Sequence, residues 1–513
     1  MRIIINNSVY IKKEKNTNYG DDFITDNDDY CLGLSGIILN QYNKEDILKA
    51  LVSGNSQKRF KGSYVMWLYD KRSGMLYVSN DLLSKQYVYY YEDNGLILIN
   101  TSFFSLCSDL RDNGRTPHIN YNAVRSFLDE RIFEDNITYE ENTFFLTAYS
   151  YLVVDCNKKA LEVRSVRIPS IMDTKGLSEQ EIIKEMDMRF SEACKLQWKK
   201  NEQSGKSQVI TISGGMDSRA VVLRMIRQNT GIKPRTFTYA QSRSRDAKIS
   251  RKTTKRLGLE NTFIPLDKCE FVYLKDEIID ANEGQMYYLG STGAILMAKL
   301  LKDDRNVGIV HTGFGGGEIL GDICIDGGDS EICKGQNEIP INQKRNLGDI
   351  RRCLNFQKTT SHYFFAMSPF LDEDFFEYVM CIPFEMRKGR KIYIDWYKQC
   401  MNSAFPSRQN YSRIAKAIER RRLLLLDKLG IRNRGDMNPI QYWYEAVPHV
   451  REFLEQSWQH DIEQLKDEKD LVHMLNQSFD SGVVQKFSVL TVSGAVLRMK
   501  GLNSSGTSGE KNS

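Results

Sequence analysis

The sequence has few of the residues and segments that build metal centres, membrane spans and secretory leaders. Its 513 residues include only six histidines, and none of its ten cysteines forms a C-x-x-C pair. A structural zinc site is therefore not expected, and the cysteines are predicted to be reduced, packed thiols. No stretch approaches the roughly 18 uncharged apolar residues of a membrane helix. The first residues lack a long apolar stretch and a small-residue cleavage site, which predicts a cytoplasmic protein with no membrane partner.

A large excess of either charge is also missing. Lys and Arg number 71 against 66 Asp and Glu, which gives a net charge of +5. Nucleic-acid-binding proteins usually concentrate basic charge far more strongly, so the composition does not indicate a nucleic-acid partner. Apolar residues make up 41% of the chain, which is enough for full cores. At roughly 100–200 residues per domain, the length suggests two or three domains.

The first part of the chain, residues 1–170, is rich in strand signals. Asp93-Asn94-Gly95 lies between two aromatic and aliphatic runs and predicts a tight hairpin. A second predicted strand pair runs over Thr143–Val154 and Ala160–Val166. We therefore predict a β-rich sandwich as the first domain.

From residue 171 to about 405, short apolar strands alternate with helical patterns, and Ser178 followed by Glu181 is typical of a capping box. This alternation predicts an α/β domain with a doubly wound parallel sheet covered by helices. Residues 406–502 are predicted to form a helical extension of that domain, and 503–513 a disordered tail. The predicted elements include the strands Val209–Ile212, Arg235–Ala240 and Asn306–His311 and the helices Leu177–Lys200, Asp217–Gln228 and Asp246–Leu257.

The most informative segment is Ile212-Ser213-Gly214-Gly215-Met216-Asp217-Ser218, which follows an apolar strand and opens a helix. Its glycines let backbone N–H groups approach an anion closely, and the helix N-terminus adds partial positive charge. Ser213 and Ser218 add hydroxyl donors. Asp217 would repel a bare phosphate, but its presence is explained if it holds Mg²⁺ that neutralises the phosphates. A capped helix without a ligand is the alternative interpretation.

Ser213–Ser218 resembles the PP-loop of ATP pyrophosphatases, which cleave ATP to AMP and pyrophosphate. Thr312–Gly321, with the sequence TGFGGGEILG, is similar to a second motif of the asparagine synthetase branch of that family. Ser368–Asp372 resembles a third motif, and the three follow in the family's order. From about residue 60 to about residue 406 the chain is therefore identified as similar to asparagine synthetase.

The resemblance implies ATP as nucleotide, Mg²⁺ as its metal, a small-molecule or peptide carboxylate that becomes an acyl-adenylate, and ammonia or an amine as acceptor. Tyr239 lies where the family places an adenine contact. A cation from the run Arg387–Lys391 is implied to offset the charge of the departing pyrophosphate, with Lys391 favoured over Arg390. Glu318 is implied to be catalytic and, with Asp217, to bind the metal. The implied ATP-binding residues are Ile212, Ser213, Gly214, Gly215, Asp217, Ser218, Tyr239, Thr312 and Gly313.

Several positions depart from the family pattern. The N-terminal domain resembles the family's glutaminase, but Arg2 stands where that enzyme needs Cys. Glutamine hydrolysis is therefore not expected, and the domain is predicted to be a degenerate Ntn-hydrolase-like support, as in β-lactam synthetase and the lasso-peptide cyclases. Phe314 and Gly317 stand at the positions of the acid/base residue and the second magnesium carboxylate. Glu318, or Asp322 four residues on, is predicted to supply the missing carboxylate.

An amide-forming ligase is the favoured interpretation, and two others stay open. One is a PP-loop enzyme that modifies RNA, against which the small net charge argues. The other is a non-catalytic ATP-binding or scaffold relative, which Phe314 and Gly317 motivate. His311, at a strand end, is predicted to be a packed residue rather than a substrate contact. The sequence leaves the acid, the amine and the oligomeric state open.

Overall fold

The computed structural model describes residues 1–12, 19–53, 60–166, 174, 176–228, 231–322, 341–401 and 436–502. These residues form two antiparallel sheets and one parallel sheet, with helices packed around all three. The predicted boundary near residue 170 and the predicted tail at 503–513 lie outside the described residues. The chain is thus a mixed α/β protein with both kinds of sheet.

The two antiparallel sheets lie in the first 165 residues and stack face to face. Their strand orders are β2-β1-β8-β7-β9 and β11-β10-β6-β5-β4-β3. Along β5, Val65 and Trp67 enter the core between the sheets, while Tyr64, Met66 and Leu68 face α1 on the other side. This alternation is the period of two that a strand buried on both faces requires. The strands are β1 Arg2–Ile5, β2 Val9–Lys12, β3 Phe23–Asp26, β4 Tyr30–Ile38, β5 Gly62–Asp70, β6 Met75–Asn80, β7 Tyr89–Asp93, β8 Leu96–Asn100, β9 Thr143–Phe145, β10 Ser150–Asp155 and β11 Ala160–Ser165, with helices α1 Lys44–Ser53, α2 Phe103–Asp112 and α3 Tyr121–Glu130.

One predicted turn of the sandwich is confirmed and one predicted strand is wrong. Asn94 and Gly95 have φ values of 46° and 76°, as a two-residue hairpin between β7 and β8 requires. The stretch Thr143–Val154 is two strands rather than one, because β9 pairs with β7 and β10 pairs with β6 in the other sheet. Tyr149 has a φ of 58° at the break, a conformation that no continuous strand can include.

The parallel sheet has the strand order β14-β13-β12-β15-β16. β13 and β14 lie on one side of β12, and β15 and β16 lie on the other. The strand order therefore reverses between β12 and β15. Ser178 and Glu181 form the predicted capping box at the start of α4. The elements are β12 Ser207–Thr211, β13 Arg235–Ala240, β14 Asn261–Pro265, β15 Val307–His311 and β16 Phe365–Met367, with α4 Glu179–Gln203, α5 Met216–Gln228, α6 Arg245–Leu257, α7 Lys275–Asn282, α8 Thr292–Leu301, α9 Ile341–Tyr363, α10 Glu373–Cys381, α11 Phe384–Arg387 and α12 Lys391–Cys400.

Four helices close the described chain, namely α13 Ile440–Ala446, α14 Pro448–Gln464, α15 Lys469–Asp480 and α16 Val483–Lys500. They share one apolar cluster with α2 and α3 of the sandwich and with α7 beside the parallel sheet. Residues 406–435 of the predicted helical extension lie outside the described residues, and the remainder is helical as predicted. The C-terminal helices therefore pack on both parts of the chain.

The described cysteines bear out most of the prediction made for them. Seven are free thiols, six of them buried, but Cys381 is disulfide-bonded and corrects the expectation of reduced thiols throughout. Within the described ranges, no helix combines the length and the apolar character that crossing a bilayer requires.

Candidate functional site

A cavity of about 310 Å³ opens at the carboxyl ends of β12, β13 and β15, where the strand order of the parallel sheet reverses. Open α/β sheets bind ligands at this place, because the loops on either side of the reversal diverge. We call it the switch-point cavity. Its lining residues are Thr211, Ile212, Ser213, Asp217, Ser218, Tyr239, Gly290, Thr292, Gly293, Gly313, Phe314, Glu318, Phe356, Met437 and Asn438.

The first wall is the glycine-rich loop between β12 and α5. Ser213 N–H donates to Ser218 Oγ over 3.0 Å, and Gly214 N–H donates to Asp246 Oδ1 over 3.1 Å. These bonds hold the loop in a tight turn, so that α5 begins at Met216 with the N–H groups of its first turn towards the loop. Ser213, Asp217 and Ser218 of the predicted loop line the cavity. Gly214 and Gly215 are not among the lining residues, and the Gly215 N–H donates to Ser213 Oγ over 3.2 Å within the loop.

The loop after β15 lies directly against the first loop. A Cβ atom on Gly313 would be 2.3 Å from the backbone nitrogen of Ser218, a distance that no side chain can occupy. Thr312 is buried, and its hydroxyl donates to Gln357 Oε1 over 3.1 Å. The structure therefore brings the two predicted motifs together, although Thr312 faces α9 rather than the cavity.

Asp217 is the centre of the electrostatics of the site. Surrounding protein raises the pKa of its carboxyl to about 6, and acidic Glu318 adds to this rise. A hydrogen bond from the buried Tyr393 hydroxyl and the positive charge of Arg390 act in the opposite direction. Burial has the largest effect on the pKa of Asp217, because removal from water destabilises the charged form of a carboxyl group.

The donor atoms suit a hard divalent cation. Asp217 and Glu318 present carboxylate oxygens to one cavity, and Mg²⁺ is usually held by one or two carboxylates together with phosphate oxygens. A bound cation would also offset the desolvation that raises the pKa of Asp217. Among the described residues no cluster of three or more His, Cys, Asp and Glu could hold a metal by itself. The side chain of Asp322 lies outside the described residues.

The two favoured basic residues lie in different places. The Arg390 guanidinium packs against Gly317, beside the second loop, and contributes to the potential at Asp217. Lys391 has a side chain that is 61% exposed, and its Nζ lies 3.0 Å from Glu179 Oε2 on the surface. The geometry therefore brings Arg390, rather than Lys391, to the loops of the cavity.

Tyr239 and the C-terminal segment form the wall opposite the loops. The Tyr239 ring packs flat on Gly293, where a Cβ atom would be 2.0 Å from the ring. Gln241 follows two residues later; its N–H donates to the Met437 carbonyl over 3.0 Å, and its side chain accepts from Trp443 Nε1 over 2.7 Å. The residues after 435 thus complete the cavity.

His311 is packed, as predicted. It has no exposed surface, and its Nε2 lies 2.9 Å from Gln208 Oε1 in a network that includes Gln197 and Asn201. Burial lowers the pKa of His311 to about 3, so the ring is neutral at physiological pH. It supports the floor of the parallel sheet below the cavity.

Several lining or supporting residues were not found from the sequence, namely Tyr393, Thr292, Gly293, Phe356, Met437 and Asn438. Tyr393 lies in an amphipathic helix, where the sequence pattern predicts that an aromatic residue packs in the hydrophobic core. Gly290 and Gly293 at a helix start were the only local signal, since small residues there permit close packing of rings. The other members reach the site through tertiary packing alone.

Comparison with known proteins finds similarity in the segment that carries this site. Residues 199–323, which contain both loops, match the family described as asparagine synthase. A Methanocaldococcus jannaschii protein provisionally named glutamine-hydrolysing asparagine synthetase 2 is 25% identical over 187 residues, which make up 36% of this chain and 34% of that relative. The matched part therefore spans about a third of the relative.

A solved structure of an NMN synthetase from Francisella tularensis also matches. It covers 34% of this chain and 72% of that chain, with 16% sequence identity and a TM-score of 0.20.

Proposed function

We propose that this chain, an asparagine synthetase-like protein by its segment 199–323, is an ATP-dependent ligase that forms amides. A carboxylate attacks the α-phosphate of ATP, so that acyl-AMP forms and pyrophosphate leaves. Ammonia or an amine then attacks the acyl carbon and releases AMP. One observation carries the proposal: Ser213, Asp217 and Ser218 of the glycine-rich segment line the switch-point cavity together with Glu318.

Each part of the cavity has a task in this reaction. The N–H groups at the start of α5 and the hydroxyls of Ser213 and Ser218 bind the phosphates. Asp217 and Glu318 would hold Mg²⁺, which would neutralise charge on the phosphate oxygens. Arg390 offsets the negative charge that develops on pyrophosphate as it leaves. Tyr239 supports the nucleoside on the opposite wall.

Free ammonia or an amine, rather than glutamine, is the proposed nitrogen source. The cysteines of the sandwich, Cys31, Cys107 and Cys156, are buried, and burial raises the pKa of each thiol above its usual value. A thiol of that kind is not a thiolate nucleophile at neutral pH. Position 2, where the family's glutaminase uses Cys, is Arg2, whose guanidinium forms an ion pair with Asp109.

The proposal is tested by carboxylate-dependent exchange of pyrophosphate into ATP, because exchange detects the activated acid without knowledge of the amine. Asp217→Asn is expected to lower the exchange rate by about 10²–10³-fold, the usual effect of one preorganised electrostatic group. Asp395→Asn is the matched control and is expected to keep the wild-type rate, because Asp395 lies on α12 and forms an ion pair with the exposed Lys398. Exchange that survives in Asp217→Asn contradicts the proposed mechanism.

Direct titration with Mg·ATP separates this proposal from a non-catalytic relative. Phe314 replaces a proton-transferring side chain, which is the observation that favours such a relative. Binding of Mg·ATP with acid-dependent exchange supports the ligase. Binding without exchange for any acid supports the non-catalytic protein.

A further inference from the structure

Two aromatic rings form one side of the switch-point cavity. The rings of Phe314 and Phe356 stack with their centroids 5.6 Å apart and their planes 10° from parallel. The Ser368 hydroxyl donates to the Phe314 carbonyl over 2.6 Å, which fixes the backbone that carries the first ring. Gly290 lies next to the second ring: a Cβ atom there would be 3.3 Å from Phe356 and 2.3 Å from Met286 Cε, so glycine permits this close packing. The pair is therefore a fixed apolar surface.

The other sides of the cavity are already assigned in the proposed reaction. The loop at 213–218 takes the phosphates, and Tyr239 on Gly293 takes the nucleoside. Phe314 directly follows Gly313, the residue in contact with Ser218 at the start of α5. The aromatic pair thus lies beside the phosphate end of the cavity, where an acid must approach the nucleotide.

The charges of the cavity restrict that acid further. Among the described residues that line it, the charged ones are Asp217 and Glu318, and both are acidic. The nearby cation, Arg390, packs on Gly317 outside the lining and is assigned to pyrophosphate in the proposed reaction. A second carboxylate on the substrate would therefore be buried near two acids with no cation of its own among the described lining residues, which is costly. An aromatic body would instead bury apolar surface on Phe314 and Phe356, with the added attraction of stacked rings.

We infer that Phe314 and Phe356 form the acyl-binding subsite and that the activated acid has an aromatic or other apolar body and no second carboxylate. This inference rests on the proposed function and names the class of its substrate. It separates the chain from an enzyme that activates aspartate, whose second carboxylate needs a cation.

The first test compares acids in the pyrophosphate exchange assay on the full chain. 3-Phenylpropionate is the aromatic probe, and aspartate and succinate are the dicarboxylates. We expect the aromatic acid to exceed both by about tenfold or more in exchange efficiency, within the range of apolar pocket selectivity. Equal or greater efficiency with aspartate overturns the inference and leaves the proposed function standing. If none of the acids supports exchange, that result contradicts the proposed function itself.

The second test uses variants that keep apolar volume but lose a ring. Phe356→Leu, and Phe314→Leu as an independent variant, are expected to lower efficiency with 3-phenylpropionate by about tenfold and to leave the KM for ATP within about twofold. Phe144→Leu is the matched control, because Phe144 packs on Tyr90 in the sandwich with centroids 5.8 Å apart. A raised KM for ATP with unchanged acid preference would assign the rings to the nucleotide and overturn the inference.

Discussion

The switch-point cavity and the interface between the sandwich and the parallel sheet both hold desolvated carboxylates, but they compensate them differently. At the interface, Glu283 accepts from Lys358 Nζ over 2.6 Å, from the Tyr89 hydroxyl over 3.0 Å and from Phe103 N–H over 2.7 Å. In the cavity, Asp217 accepts from a neutral tyrosine and shares its surroundings with a second acid. The Glu283 carboxylate is therefore compensated by a cation and two further hydrogen bonds, whereas the carboxylates of the cavity retain the capacity to bind a cation.

This difference separates structural from functional burial of charge. Removing either partner of a buried, fully hydrogen-bonded ion pair destabilises the fold, because the remaining charge is buried without compensation. A carboxylate with a raised pKa in a cavity gains free energy when a positive ligand arrives.

The largest expected effect belongs to the interface. Lys358→Met leaves Glu283, with a side chain that is 7% exposed, without its cation. The free energy of unfolding is expected to fall by about 3–5 kcal/mol, as when one partner of a buried pair is removed. Urea unfolding measures it. The double variant with Glu283→Gln should recover most of the loss. A single-variant loss below about 1 kcal/mol would show that Glu283 does not depend on Lys358 for its compensation.

The next effect separates two neighbouring cations. Arg390→Met is expected to lower the exchange rate by about 10²–10³-fold, because its guanidinium lies at the second loop of the cavity. Lys391→Met serves as its control and should change the rate less than about twofold, since its partner is a surface glutamate. Initial rates at saturating ATP and acid measure both. The reverse order would restore Lys391, which the family resemblance favoured.

A smaller effect is expected from the residue that orients Asp217. Tyr393→Phe removes the hydrogen bond to this carboxylate and should raise the Mg²⁺ concentration for half-maximal exchange by about 10–100-fold. Tyr397→Phe, one turn along the same helix, is the control, because its hydroxyl has no hydrogen-bond partner within the described part of the chain. Equal effects of the two variants would show that Tyr393 acts through packing alone.

The smallest effect concerns the neutral histidine below the cavity. Burial lowers the pKa of His311 to about 3, whereas an unfolded histidine titrates near 6.5. Between these values the unfolded chain binds a proton that the folded chain does not, so the free energy of unfolding decreases as pH falls. His311 should contribute about 1.4 kcal/mol per pH unit to this slope. Urea unfolding at several pH values between 7 and 5 should give a flatter profile for His311→Gln, and superimposable profiles would contradict this account.

The parts of the site that the sequence predicted are those carried by short contiguous segments. The loop at 213–218 and Thr312–Gly321 combine glycines, hydroxyls and acids in orders that few other structures need, so each could be recognised before the fold was known. Tyr393 and Phe356 could not, because a ring in an amphipathic helix has the same local pattern whether it faces the core or a cavity. Their roles depend on how α9 and α12 pack on the parallel sheet.

The same limit explains the errors in the sandwich. The hairpin at Asn94-Gly95 was predicted because its backbone conformation selects those residues locally. The break at Tyr149 was not, since tyrosine is typical of strands and its positive φ is imposed by strands in two different sheets. Lys391 and Arg390 differ in the same way, because adjacent residues at the start of a helix point in different directions that only the packed structure defines.

The bond between Gln241 and Met437 links the wall of the cavity to a segment almost 200 residues later in the chain. During synthesis, a nascent polypeptide that has been translated only as far as α12 has both loops but lacks Met437, Asn438 and Trp443. Under the proposed function, a nucleotide would meet a complete cavity wall only after the last described helices had been synthesised and had packed on α2, α3 and α7. The segment that begins at residue 436 thus links completion of the cavity to completion of the chain's synthesis.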